Sequence, residues 1–127
     1  MSINTINTYE APLPAGHYSQ AIVAGNVIFV SGQIPVAPLT GNKITGSISD
    51  QTRQTLQNVL NIIKAAGGDL TTIVKTTIFI TDINNWEEIN RVYADFFGSI
   101  QPARSIVQVS NLYQGAKIEI EAIALTL

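Results

Sequence analysis

At 127 residues the chain fits one domain, 1–127, long enough to bury a real core without covalent staples. The absence of cysteine excludes disulfides, thiolate catalysis and cysteine-bound zinc or iron–sulfur centres, and a lone His17 excludes a histidine metal cluster. A net charge of -2 with scattered basic residues argues against a nucleic-acid partner, while 46% apolar against 13% charged residues points to apolar surface covered by another subunit.

The first residues carry neither a charged n-region nor an apolar h-region, and no run approaches the ~20 apolar residues of a membrane span. A cytoplasmic protein without a membrane segment is expected. Tyr18 to Val23 and Val27 to Gln33 read as two strands joined through Ala24-Gly25-Asn26, a hairpin connection. Pro35 to Gly46, with two prolines and two glycines, reads as a loop near the site. Ser47 with Asp50 three residues on starts a helix whose Leu56, Val59, Leu60, Ile63 and Ala66 form an apolar stripe, ended by Gly67-Gly68.

Ile73 to Thr81 is rich in β-branched residues on both faces and is expected to be a central strand. Asn84, with Glu87, is expected to cap a second helix that ends at Gly98. Trp86, Ile89, Tyr93, Phe96 and Phe97 recur along it at three and four residues, a spacing that assigns all five to the core. Two further strands follow. In the one opened by Pro102, Arg104, Ile106 and Gln108 share a face opposite Ser105, Val107 and Val109. In the other, Glu119 and Glu121 share a face with Ile123 and Leu125.

The order β-β-α-β-α-β-β gives an α+β fold, with two helices on one face of a mixed sheet. Since the strands are apolar on both faces and no further element remains, copies of the chain are expected to cover the second face. A distorted or partly closed monomeric sheet is the alternative. Charges on packed strands cost several kcal/mol unless paired or offered to a ligand, which makes Arg104 and the glutamates candidate site residues. Arg104 has a bland alternative as a structural ion-pair partner of Glu119 or Glu121 within the assembly of copies. Glu121 reads as structural, paired with Lys117 or a neighbouring subunit, and Tyr18 reads equally as a half-buried strand aromatic. His17 and Ser19 have no orienting acid and do not make a triad.

Taken together, Gly16-His17-Tyr18-Ser19-Gln20-Ala21, Ser31-Gly32-Gln33-Ile34-Pro35, Val74-Lys75-Thr76-Thr77-Ile78-Phe79, Asn90 before Tyr93-Ala94-Asp95-Phe96-Phe97, Pro102-Ala103-Arg104-Ser105 and Lys117-Ile118-Glu119-Ile120-Glu121-Ala122-Ile123-Ala124 resemble the Rid family, the YjgF-type reactive intermediate deaminases. The resemblance spans almost the whole chain. It implies a chorismate-mutase-like α+β fold, a homotrimer whose sheets face a central barrel, and sites in clefts between subunits. The implied reaction is hydrolysis of 2-aminoacrylate or 2-iminobutanoate, released by pyridoxal-phosphate dehydratases, to a 2-oxo acid and ammonia, with no cofactor, metal or covalent nucleophile.

The same resemblance assigns Arg104 to the substrate carboxylate and Glu119 to positioning water, residue types suited to those tasks. Tyr18, Ser31 and Gly32 match pocket positions, and Asn90 is expected to hold neighbouring loops by hydrogen bonds. The sequence departs from the family at His17 (usually proline), at Ile106 (often cysteine) and at Tyr113-Gln114-Gly115, where a proline-containing turn is common. Ile106 is then expected to narrow the pocket and favour small substrates. The competing reading is a non-catalytic 2-oxo acid binder of the same fold.

Overall fold

The computed structural model describes residues 2–127. Six strands form one sheet in the order β1-β2-β3-β6-β4-β5. They are β1 (Ile3–Ile6), β2 (Ala21–Ala24), β3 (Val27–Gln33), β4 (Ile73–Ile80), β5 (Ala103–Gln108) and β6 (Ile118–Leu125), with α1 (Ile48–Ala65) and α2 (Trp86–Phe97) between β3 and β4 and between β4 and β5. All neighbours pair antiparallel except β4 and β5, which run parallel across the α2 crossover.

The hairpin forms as expected, but its turn is only Gly25-Asn26, with Gly25 at φ 62, and β2 starts at Ala21 rather than Tyr18. Tyr18 lies in irregular chain, where its N–H donates to the carbonyl of Gly16. The N-terminal strand β1 carries too little apolar pattern to be read from sequence, because its residues are mostly exposed; pairing with β2 makes it a strand. β4 is interior, bonded to β6 and β5, while β3 and β6 hold the middle of the sheet.

Ser47 caps α1 by accepting from the Asp50 N–H, as the sequence predicts. The second helix differs. Asp82, not Asn84, accepts the capping bond, from the Asn84 N–H, because a single 3-10 turn over Ile83–Asn85 precedes α2. α2 ends at Gly98 (φ 62), as expected.

Both helices pack on one face of the sheet. Ile28 and Val30 of β3, Ile78 and Ile80 of β4, and Ile118, Ile120, Ala122 and Ala124 of β6 meet Leu56, Val59, Ile62 and Ile63 of α1 and Ile89, Tyr93 and Phe97 of α2. Trp86 is the exception to the expected aromatic core. It stands 39% exposed at the start of α2. On the opposite face, Phe29, Val107 and Leu125 remain exposed and Phe79 and Ile123 partly so, leaving an apolar sheet face that no element among the described residues covers. No helix among the described residues is long and apolar enough to cross a membrane.

Candidate active site

Strand pairing decides where the two charged candidates point. Arg104 stands opposite Thr76 and Ile106 opposite Ile78 on the helix-covered side, because Thr76 and Ile78 are buried there. Glu119 stands opposite Phe79, between the buried Ile118 and Ile120, and therefore projects from the open side. Arg104 and Glu119 of one chain lie on opposite faces of the sheet. That parity rules out an ion pair between them within one chain, and leaves the pairing expected between subunits as it stands; the salt bridge found among the described residues is Arg53 with Asp50.

Glu119 belongs to a cavity of about 590 Å³ that it lines with Tyr18, Ser31, Gly32, Tyr113 and Glu121. A bulge creates the opening. Val30 pairs with Ala122 and Gln33 with Ile120, so Ser31 and Gly32 together face the single residue Glu121. The carboxylate of Glu119 lies against Gly32, where a methyl group would stand 2.5 Å from Oε2. Burial pushes the Glu119 carboxyl above its ordinary pKa, and the like charge of Glu121 adds to the shift.

The wall of this cavity is tied to the hairpin. Ser31 Oγ donates to the carbonyl of Ser19 at 2.6 Å, and its N–H donates to the carbonyl of Gln20 at 2.9 Å. Tyr18 Oη accepts from the Ala15 N–H at 3.1 Å, which folds the ring over its own loop. Gln20 is fully buried; its amide donates to the carbonyls of Thr8, Ala11 and Pro12 and accepts from the Thr8 N–H. Buried amides of this kind fix irregular chain that has no ladder of its own. Asn58 does the same from α1, donating to the carbonyls of Ile34 and Val36 beyond β3. Neither residue was identified from sequence, although Asn58 interrupts an apolar stripe, which is a legible signal.

Arg104 belongs to a second cavity, of about 430 Å³, lined also by Asn90, Tyr93 and Pro102. Its Nη1 donates to Asn90 Oδ1 at 2.9 Å, and its Cζ lies 4.7 Å from the Tyr93 ring centroid and 5.6 Å from that of Trp86. Asn90 thus holds Arg104 itself rather than neighbouring loops. Tyr93 Oη is bonded to Thr76 Oγ1 at 2.7 Å; burial raises the phenol's pKa, against opposing effects of that bond and of Arg104. Among the described residues, no carboxylate lines this cavity. A guanidinium has five N–H donors, so most of the fork remains for a ligand. Ile106 lines neither cavity of the single chain; its side chain packs, partly buried, against the core.

The chain therefore presents two separate cavities, an acidic one with Tyr18, Ser31, Gly32 and Glu119, and a cationic one with Arg104 and Asn90. Residues 8–126 match the family described as Endoribonuclease L-PSP. The chain belongs to that family, the YjgF/Rid family. It is 50% identical over 119 residues to a RutC family protein of Pyrococcus horikoshii, covering 94% of each chain. It is 42% identical over 120 residues to the human 2-iminobutanoate/2-iminopropanoate deaminase, covering 94% of this chain and 88% of that one. Among solved structures, E. coli TdcF with bound serine superposes with a TM-score of 0.93 at 44% identity, over 98% of this chain and 99% of that one. These relatives match the YjgF/Rid fold along nearly the whole length of both partners.

Proposed function

We propose that the protein is a deaminase of reactive 2-imino and enamine acids, 2-aminoacrylate and 2-iminobutanoate, acting at a site completed between copies of the chain. The observation that carries this reading is the guanidinium of Arg104, held by Asn90 and two rings with no carboxylate in its cavity, while Glu119 lines an acidic cavity on the other side of the sheet. One copy supplies the fork that binds a carboxylate bidentately. Its neighbour supplies the base.

The uncovered sheet face supports assembly. Phe29, Val107 and Leu125 are each more than one third exposed, so covering what remains of each is worth somewhat under half of the ~1.5–3 kcal/mol that full burial of such a side chain brings. A homotrimer with the open faces turned to a central barrel would cover them. Glu119, as a carboxylate, takes a proton from water as the oxygen attacks the C=N carbon and passes that proton to the nitrogen, giving a neutral carbinolamine and restoring the carboxylate. Glu119 then takes the hydroxyl proton and delivers it to the amino nitrogen as the C–N bond breaks, so that ammonia leaves, the 2-oxo acid remains and Glu119 is again a carboxylate. The enamine enters as its imine tautomer. Orientation and proton transfer suffice for this sequence, since free imines already hydrolyse in water.

The reading links the protein to pyridoxal-phosphate dehydratases, whose products are these imines. Nuclease action is disfavoured by the Glu119 cavity, which carries two carboxylates and no basic side chain. The test is 2-oxobutanoate formation from threonine by a purified dehydratase, with semicarbazide competing for the imine. A rate gain that disappears in Arg104→Ala is expected. The absence of any gain at protein concentrations well above those of the dehydratase would refute the reading.

A further inference from the structure

The only tryptophan of the chain stands beside Arg104, the cation of the second cavity, without lining that cavity itself. A partly exposed tryptophan in the first turn of a helix contributes little to the core, yet this ring lies 5.6 Å from the guanidinium carbon of Arg104. Tyr93 approaches the same carbon to 4.7 Å and is itself locked, buried and bonded to Thr76. Asn90 fixes one corner of the fork at 2.9 Å. Three contacts thus restrain a side chain that otherwise carries ~2 kcal/mol of rotamer entropy.

We propose that Trp86 is a positioning residue that, with Tyr93, brackets the Arg104 guanidinium and sets its affinity for the substrate carboxylate. This inference rests on the reading of Arg104 as the carboxylate clamp and extends it to a residue outside the contacts expected of substrate. A fork already held in plane loses less freedom when a carboxylate docks, and a cation over tryptophan is the strongest of the cation–aromatic pairings. The indole also becomes a built-in reporter, because a carboxylate arriving at Arg104 changes the charge field across the ring.

Titrating the wild-type protein with 2-oxobutanoate should produce a saturable change in tryptophan emission, and Arg104→Ala should abolish it. Removing the ring in Trp86→Leu should raise KM for the imine and the calorimetric Kd for 2-oxobutanoate by about two- to fivefold, with kcat held within about twofold. Trp86→Phe, which keeps an aromatic face, should restore most of the loss. A general packing defect would lower the melting temperature and would not be confined to KM. The proposal is overturned if 2-oxobutanoate binds calorimetrically without altering emission, if Trp86→Leu binds as tightly as wild type, or if phenylalanine fails to rescue. The emission titration needs no variant at position 86, so a misfolded Trp86→Leu leaves the test intact. A wild-type protein that neither binds nor turns over overturns the clamp reading and the bracket with it. One that loses affinity in Arg104→Ala but not in Trp86→Leu overturns the bracket alone.

Discussion

Because β-strand parity separates Arg104 from Glu119 within a chain, two inactive variants should restore activity to each other. Arg104→Ala removes charge-assisted hydrogen bonds worth roughly 1.5–3 kcal/mol, about 10- to 10²-fold in kcat/KM. Glu119→Gln removes proton transfer, worth about 10²- to 10⁴-fold. If each site takes its acidic half from one copy and its cationic half from the next, random co-assembly of equal amounts leaves each half intact about half the time. About a quarter of all sites are then whole, whatever the size of the closed ring. The assay is imine hydrolysis by the whole co-refolded mixture of differently tagged variants, with a portion passed over both affinity resins to establish that species carrying both tags have formed. Simply mixing the assembled variants without subunit exchange should recover nothing. A matched control joins wild type with the double variant, which should also give about a quarter of the sites, whereas a site contained within one chain would give about half. Co-assembled variants that remain at the sum of their separate activities, or that carry both tags in no common species, would refute the composite site.

Gly32→Ala should damage turnover while sparing the fold. Its backbone is not in the left-handed region, but the new methyl would stand 2.5 Å from Glu119 Oε2 and 2.8 Å from Cδ, so the carboxylate must withdraw by about 0.9 Å to reach ordinary contact. Displacements near 1 Å can cost about 10²-fold, so kcat should drop by one to two orders of magnitude with little change in melting temperature; unaltered kcat would show that Glu119 need not sit where the structure places it. Glu121→Gln should move the acid limb of the pH–rate profile downward. Glu119 acts as a base only when ionised, so activity falls as pH drops through a pKa that burial and then Glu121 hold above the ordinary carboxylate value. Removing the second charge leaves only the burial effect, and an unchanged limb would show that the two carboxylates do not interact.

Most of the fold was legible because its signals are local. The Ser47 cap, the Gly98 stop and the β-branched run of β4 each follow from residues within a few positions of one another. β1 was not legible, since an exposed edge strand is defined by its partner rather than by its own pattern. The Asp82 cap was missed for a related reason: a 3-10 turn shifts the entry to α2, and sequence spacing alone does not distinguish it from an early α-helical turn. At the candidate site, alternation correctly grouped Arg104 with Ile106 and Glu119 with Glu121. It did not say which side of the sheet each group takes. That depends on the registers of β4 with β5 and β6, which are long-range facts. Trp86 was assigned to the core by spacing, although the start of α2 overhangs Arg104 rather than the hydrophobic layer.

The separation of the two charges has a physical consequence for any site they build. Were Arg104 and Glu119 neighbours in one chain, a 4 Å ion pair near the surface would gain roughly 4 kcal/mol of Coulomb attraction at an effective dielectric of 20. That attraction would depress the Glu119 pKa and occupy the guanidinium, leaving a weak base and a filled clamp. The sheet prevents this during folding. Glu119 keeps a carboxyl shifted toward the proton-accepting range by burial and by Glu121, and Arg104 is steadied by a neutral amide and aromatic faces that leave its charge available. On the proposed function, assembly would bring the two halves together across a cleft, where a substrate carrying its own carboxylate would supply the missing anion for Arg104 and set its C=N carbon within reach of water held by Glu119. The two halves would then be complementary to the substrate's two ends, while the sheet between them keeps each chain from satisfying itself.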